Sequence, residues 1–220
     1  MMLARIRTSA AIGAKRTGAS LKHARVTASR KTMATVAAEE ASSSSAQGYP
    51  LAMKYMHWGM GGGILGAVGF VKMAQNTKDK KAKGNYMWYH KSFGLLAAGL
   101  LFPRIGLRFV SKVPALMPGP AWEHLAAKAT HAAMYGFIAF MPISGVAMGY
   151  YGGKGLPFFW TKVPGASKEN KNGKLAKTSY QWHKWVGQYG VYLIPLHVGA
   201  VGYHHLFKGQ AILARMNPFV

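Results

Sequence analysis

The chain has 220 residues, half of them apolar, and carries 28 Lys and Arg against 5 Asp and Glu. The basic excess alone would suit a nucleic-acid-binding protein, but the uncharged runs at 64–71 and 134–149 are typical of membrane spans and exclude that class. The absence of cysteine excludes disulfides, thiolate zinc sites, iron–sulfur clusters and covalently attached c-type haem. Histidine is therefore the main side chain left for binding a metal or cofactor.

Residues 1–46 are predicted to be an organellar transit peptide followed by a linker. The region is rich in Arg, Lys, Ser and Ala and has no acid before Glu39, a composition typical of such peptides. The Ser-rich tract at 41–47 is the predicted linker. We predict a mitochondrial destination, with the plastid as the alternative. The other interpretation of residues 1–46 is a basic tail that stays attached to the protein.

Residues 47–220 are predicted to form an all-α integral membrane domain, a bundle of four spanning helices. Four apolar segments are each long enough to cross about 30 Å of hydrocarbon as helix. They are residues 51–74, 86–109, 123–151 and 180–207. Six glycines in the first segment allow close helix packing in a membrane. Tyr and Trp gather near the segment ends, and lysines fill the first and third loops, which the positive-inside rule places toward the matrix or its equivalent.

Four histidines within or beside these segments are candidate cofactor ligands: His57, His90, His183 and His197. Because successive spans alternate in direction, the first and last should approach one membrane side and the other two the opposite side. His183 and His197 are separated by roughly 21 Å along a helix and lie within about 40° of one face. An imidazole inside a membrane needs a partner. We therefore predict two axial pairs, His57 with His197 and His90 with His183, each holding a b-type haem between helices.

Each histidine taken alone also fits a simpler role, since His90 and His183 lie among interfacial aromatic residues. Pro195 is predicted to kink the fourth span just before His197. Arg104 and Arg108 are candidate contacts of haem propionates, with snorkelling to the interface as the alternative. His204 and His205 either border a quinone headgroup or lie at the interface. His124 and His131 are interpreted as core or surface histidines.

These residues resemble the bacterial-type cytochrome b561 family, four-helix di-haem membrane proteins related to the cytochrome b subunits of nickel hydrogenases. The similarity extends over about residues 49–216. It is carried by His57-Trp58, His90, the segment from His131 to Gly145, Trp182-His183, Leu196-His197 and His204-His205. The resemblance implies that the four candidate histidines are the axial ligands, in the pairing given above. The N-terminal extension, the Gly-rich first span and the longer third loop depart from the family pattern.

The resemblance also implies electron transfer between two haem b groups and a membrane quinone such as ubiquinone, and some bacterial members oxidise superoxide. The lysine-rich loops would steer a small anion toward one haem, although they also suit topology or anionic lipid. We predict a quinone-linked oxidoreductase of the mitochondrial inner membrane. The alternatives are a haem-bearing relay or anchor subunit that meets a redox partner protein in a larger respiratory complex, and a structural anchor or metal-linked transporter without haem.

Overall fold

The computed structural model describes residues 48–219 and, before them, only Ser29, Thr32, Met33 and Thr35. The predicted transit peptide and linker thus lie almost wholly outside the described residues. The described chain is mostly helical. Its helices are α1 Leu51–Asn76, α2 Lys80–Val110, α3 Ala121–Tyr151, α4 Gly173–Gly190, α5 Leu193–Leu206 and α6 Ile212–Met216. Two strands, β1 Leu156–Phe158 and β2 Thr161–Val163, form an antiparallel hairpin between α3 and α4.

Two helices of the described chain, α2 and α3, are both long and apolar enough to cross a membrane. Their surfaces leave large apolar side chains uncovered, among them Phe102, Phe109, Leu125 and Ile143. A soluble protein rarely exposes so much apolar surface, whereas a helix that faces lipid does so along its length. The count of four spans stays a prediction.

The first three predicted segments agree with helices α1 to α3, apart from the start of α2. That helix begins at Lys80 rather than at residue 86, because the Asp79 side chain accepts a hydrogen bond of 2.9 Å from the Lys81 N–H. Gly66 is needed where α1 meets α2, since a Cβ there would lie 2.9 Å from the Phe93 ring.

The predicted fourth span at 180–207 is two helices in the structure. α4 starts earlier, at Gly173, because the Asn172 side chain accepts a hydrogen bond of 2.9 Å from the Leu175 N–H. The helix is then interrupted at 191–192. Pro195 has no N–H to donate to the Val191 carbonyl, which instead accepts from Ile194 N at 3.1 Å. The distortion expected from Pro195 is therefore present, one turn before the proline.

The β-hairpin was not predicted, and the all-α expectation is wrong at 156–163. Its strands are only three residues long, and the turn between them holds Phe159 at a φ of 46°. Side chains of α2 hold it in place. Trp88 Nε1 donates to the Phe159 carbonyl at 2.6 Å, and the fully buried Ser92 hydroxyl accepts from Phe159 N at 2.8 Å.

The helices pack in two groups. One group is α1 with α2, and the other is α3 with α4 and, less extensively, α5. The two helix groups meet mainly where α2 packs against α3. A small core of Met60, Leu101, Phe137 and Ile138 lies there. Elsewhere in the described chain, the backbone of α1 makes little contact with α4 or α5. The candidate histidines lie where side chains of α1 and α2 approach those of α4 and α5.

Candidate functional site

His90 on α2 and His183 on α4 lie close to each other, one on each helix group. Their ring centroids are 6.1 Å apart and the rings are inclined at 79°. The two residues lie on different helices and far apart in the chain, so the fold itself brings them together as the sequence predicts.

Hydrogen bonds fix the tautomer of both rings. His90 Nδ1 lies 2.8 Å from the Ala67 carbonyl, which can only accept, so this nitrogen carries the proton. His183 Nδ1 lies 2.9 Å from Ser144 Oγ, whose own hydrogen is directed at the Phe140 carbonyl at 2.7 Å. The serine oxygen therefore accepts from the imidazole. In both rings Nε2 keeps its lone pair, the state needed to bind a metal.

Gly145 and Ser144 bring α3 close to the His183 ring. A Cβ at Gly145 would lie 3.4 Å from His183 Cε1, which is van der Waals contact, so the imidazole lies against the α3 backbone at this point. Both belong to the segment on which the family resemblance rests, but sequence reasoning assigned neither a role.

His57 on α1 and His197 on α5 form the second predicted pair. Their ring centroids are also 6.1 Å apart, with the rings inclined at 56°. His131 on α3 lies beside them, with its ring centroid 5.8 Å from that of His197. His131 is an exposed residue, so its interpretation as a core or surface histidine stays a prediction, and the structure adds that it lies beside this pair. Sequence reasoning did not connect it with the pair, although it opens the segment 131–145 that carries the resemblance.

Arg104 on α2 reaches into the second pair. Its Nη2 lies 3.4 Å from His57 Nδ1, while its Nε and Nη1 are buried without a hydrogen-bond partner. A buried guanidinium with unpaired N–H groups is costly, and a carboxylate is the group that best satisfies it. Arg108 lies one turn further along α2, where it lines an apolar groove with Ile105, Phe109 and Tyr135.

The separation of 6.1 Å between ring centroids in both pairs is close to that of two imidazoles bound to one iron. Metal–imidazole bonds of about 2.0–2.1 Å in line put the two nitrogens about 4 Å apart and the ring centroids roughly 6 Å apart. Across the described residues, no group of three or more His, Cys, Asp or Glu is arranged to hold a bare metal ion. Pairs of imidazoles instead suit an iron whose other ligands come from a porphyrin, so the residues fit haem b.

Other predicted site residues lie away from the pairs. His204 Nδ1 is 2.8 Å from Gln210 Oε1, and Gln210 Nε2 donates to the Pro118 carbonyl at 2.7 Å. His124 Nε2 lies 3.0 Å from the Met117 carbonyl. These bonds attach the second loop to neighbouring segments, and contact of His204 with quinone stays a prediction.

Comparison with known proteins identifies a family and a relative. The model of the prokaryotic cytochrome b561 family matches residues 48–218. Cytochrome b561 homolog 1 of Escherichia coli (strain K12) is 27% identical over 168 residues, which cover 74% of this chain and 93% of that protein.

These matches confirm the resemblance to the bacterial-type cytochrome b561 family. They do not support the predicted location in an organelle. Both are prokaryotic, which leaves the mitochondrial inner membrane and the plastid unsupported and leans against them. The family match begins at residue 48, so the transit peptide at 1–46 stays a prediction. The family match supports the prediction of a membrane protein that transfers electrons through haem b. With the match extending over most of its length, the chain belongs to the prokaryotic cytochrome b561 family.

Proposed function

We propose that this protein holds two haem b groups and exchanges electrons with a membrane quinone. His90 and His183 would hold one haem, and His57 and His197 the other. The observation that carries the proposal is the recurrence of one spacing, 6.1 Å between ring centroids, in two separate histidine pairs. His90 bonds to Ala67, which is ten residues beyond His57 on α1, so the two pairs are about 15 Å apart along that helix.

The contribution of the protein is to orient the ligands. The Ala67 carbonyl and Ser144 Oγ keep the protons of His90 and His183 on Nδ1, so each Nε2 is ready to bind without a proton leaving. When bound, haem would supply one-electron chemistry at its iron. With an imidazole on each side of the ring, no position stays open for oxygen, which favours electron transfer over oxygenation.

Arg104 is the residue best placed to hold a haem propionate. Its unpaired Nε and Nη1 present the planar pair of donors that binds a carboxylate in fork geometry. If Nε2 of His57 binds iron, its Nδ1 carries a proton and cannot accept from Arg104. The guanidinium would then turn from His57 to the propionate. Arg108 is a weaker candidate for the same role.

The electron acceptor we propose is a quinone, and the donor a small anion such as superoxide. The groove of Ile105, Arg108, Phe109 and Tyr135 has an apolar lining that suits the ring and tail of a quinone. The lysines of the first and third loops would attract an anion to the His90 side. A relay subunit of a larger complex is the second candidate, because bis-histidine haems serve that role equally well.

A reduced-minus-oxidised absorption spectrum with haem quantification tests the proposal. We expect a b-type α-band after dithionite reduction and about two haems per chain. Purified protein without such a band, or with no bound haem after haem supplementation during expression, would refute it. Stopped-flow mixing with superoxide, with a ubiquinone analogue as acceptor, then separates the two candidates. Turnover by the isolated protein supports the oxidoreductase, whereas its absence supports the relay subunit.

A further inference from the structure

The loops on the side of His90 and His183 form a strongly basic surface. It contains ten exposed lysines and two acids, Asp79 and Glu169. The lysines are Lys78, Lys80, Lys81, Lys83, Lys154, Lys162, Lys168, Lys171, Lys174 and Lys177. Within residues 48–219 none of them has an ion pair, and the ion pair that is present joins Lys208 to Glu123 on a different part of the chain. Positive charge this dense, with two acids for ten lysines, favours an anionic partner.

Three lysines belong to the part of the chain around His90. Lys91 follows His90 on α2 and is half-buried, Lys154 precedes the hairpin, and Lys162 lies on β2, which pairs with the strand that packs against α2. Gly155 has a φ of +74°, and a Cβ there would lie 2.9 Å from Lys162 Cε. The Lys162 stem therefore lies directly over the glycine that follows Lys154.

Trp160 stands at the turn of the hairpin and is 86% exposed. Its ring centroid is 5.9 Å from that of Phe159, which is in turn 5.2 Å from that of Phe93. Phe93 is one helical turn beyond His90. Because Trp88 and Ser92 also bond to the hairpin, the exposed indole is rigidly joined to the helix that carries His90.

We propose that Trp160, together with Lys91, Lys154 and Lys162, forms the docking site for a soluble, acidic one-electron carrier protein. The proposal rests on the proposed electron-transfer function. An exposed aromatic anchor within a rim of complementary charge is the usual arrangement of a binding hot spot. The basic groups are lysines, whose hydrated point charges suit a brief encounter, and redox complexes are typically small and transient.

The electron balance of the encounter is simple. One electron leaves the reduced carrier, which is oxidised by one equivalent, and reduces a ferric haem iron between His90 and His183 to ferrous. No proton or covalent bond is transferred. An anionic bilayer would also attract the lysines and take up an exposed indole, so binding to anionic vesicles is measured in the same test.

The test uses full-length haem-loaded protein in nanodiscs of phosphatidylcholine, mixed by stopped flow with chemically reduced flavodoxin as the acidic carrier. Ionic strength is varied from about 20 to about 300 mM. For Lys154→Glu/Lys162→Glu we expect the second-order rate constant to fall about ten-fold or more at low salt, and the difference to shrink at high salt. For Trp160→Ala we expect a fall of several-fold at every salt concentration, since an apolar contact is lost.

Lys112→Glu is the control for charge reversal at a single position, and it is compared with Lys154→Glu and Lys162→Glu made singly. It lies on the second loop, at the other side of the protein. It should leave the rate within about two-fold of the unmodified protein. The b-type spectrum of each variant shows whether haem is retained, so failure of docking is distinguishable from failure of the proposed function.

Three results would overturn the docking proposal. One is a flavodoxin rate in the unmodified protein that does not depend on salt. A second is an unchanged rate in Lys154→Glu/Lys162→Glu, with these changes instead abolishing binding to phosphatidylglycerol vesicles, which would assign the lysines to lipid. A third is a Trp160→Ala variant that behaves normally with flavodoxin while the lysine variants slow only superoxide, which would leave steering of a small anion as their role.

Discussion

The two histidine pairs share a ring separation but differ in what surrounds them. Around His90 and His183, a backbone carbonyl and a serine hydroxyl fix both rings before any cofactor binds. Around His57 and His197 lie a third imidazole and a buried guanidinium with two unpaired nitrogens. The first pair is therefore organised by hydrogen bonds within the chain. The second pair has an excess of positive charge and donors, which an anionic cofactor would balance.

The largest expected effect comes from removing one ligand of each pair. His183→Ala and His197→Ala should each lower the haem content from about two to about one per chain, because an imidazole on one side alone holds haem weakly. The pyridine haemochrome assay measures this content. His204→Ala is the matched control and should keep both haems. Loss of both from either single variant, in protein that remains folded by circular dichroism, would contradict independent sites.

Arg104→Leu should affect only the pair of His57 and His197. Removing the group that would hold a propionate should weaken that haem by about ten-fold or more, as for other residues that support a metal site. Transfer of haem to excess apomyoglobin measures the loss, and one of two kinetic phases should become faster. Arg104→Lys keeps the positive charge but lacks the planar pair of donors. Its rate of haem transfer should therefore lie between those of the unmodified protein and Arg104→Leu. Equal acceleration of both phases would contradict a local role.

Much of the helical architecture was predictable, because long apolar segments reveal spans whatever packs against them. The exceptions have local or tertiary causes. The early start of α4 depends on the Asn172 cap in a polar stretch that hydropathy does not mark. The hairpin depends on Trp88 and Ser92, which are distant in sequence from the strands that they hold. Strands of three residues are too short to produce a recognisable alternation.

The pairing of the histidines was predictable for a different reason. Alternating span direction fixes which residues share a membrane side, so His57 could be matched with His197 without knowledge of the packing. The surroundings of each pair were not predictable, because they depend on helix rotation. A small rotation of α3 decides whether Ser144 faces His183 and whether His131 faces His197. Arg104 was identified from its chemistry, but its unpaired nitrogens are visible only in the structure.

Ser144→Ala tests how much the hydrogen bonding around His183 contributes. The imidazole Nδ1–H would lose its acceptor in a buried position, at a cost of about 1–3 kcal/mol. We expect both haems to be retained, with an altered low-spin electron paramagnetic resonance signal for one of them as the ring turns. Thr178→Ala, at an exposed position of α4 on a different face from His183, is the control. Signals identical to those of the unmodified protein would show that packing alone orients His183.

The smallest expected effect is that of His131→Phe, which removes the third imidazole beside His57 and His197 but keeps an aromatic ring. If His131 is a neighbour and not a ligand, haem content should stay at about two per chain. The midpoint potential of one haem should shift, because a polar ring and its hydrogen-bonding capacity are lost next to the ligand. Redox titration followed at the α-band measures the shift. Loss of a haem in His131→Phe but not in His57→Ala would mean that His131, not His57, pairs with His197. The two pairs would then differ in their ligands as well as in their surroundings.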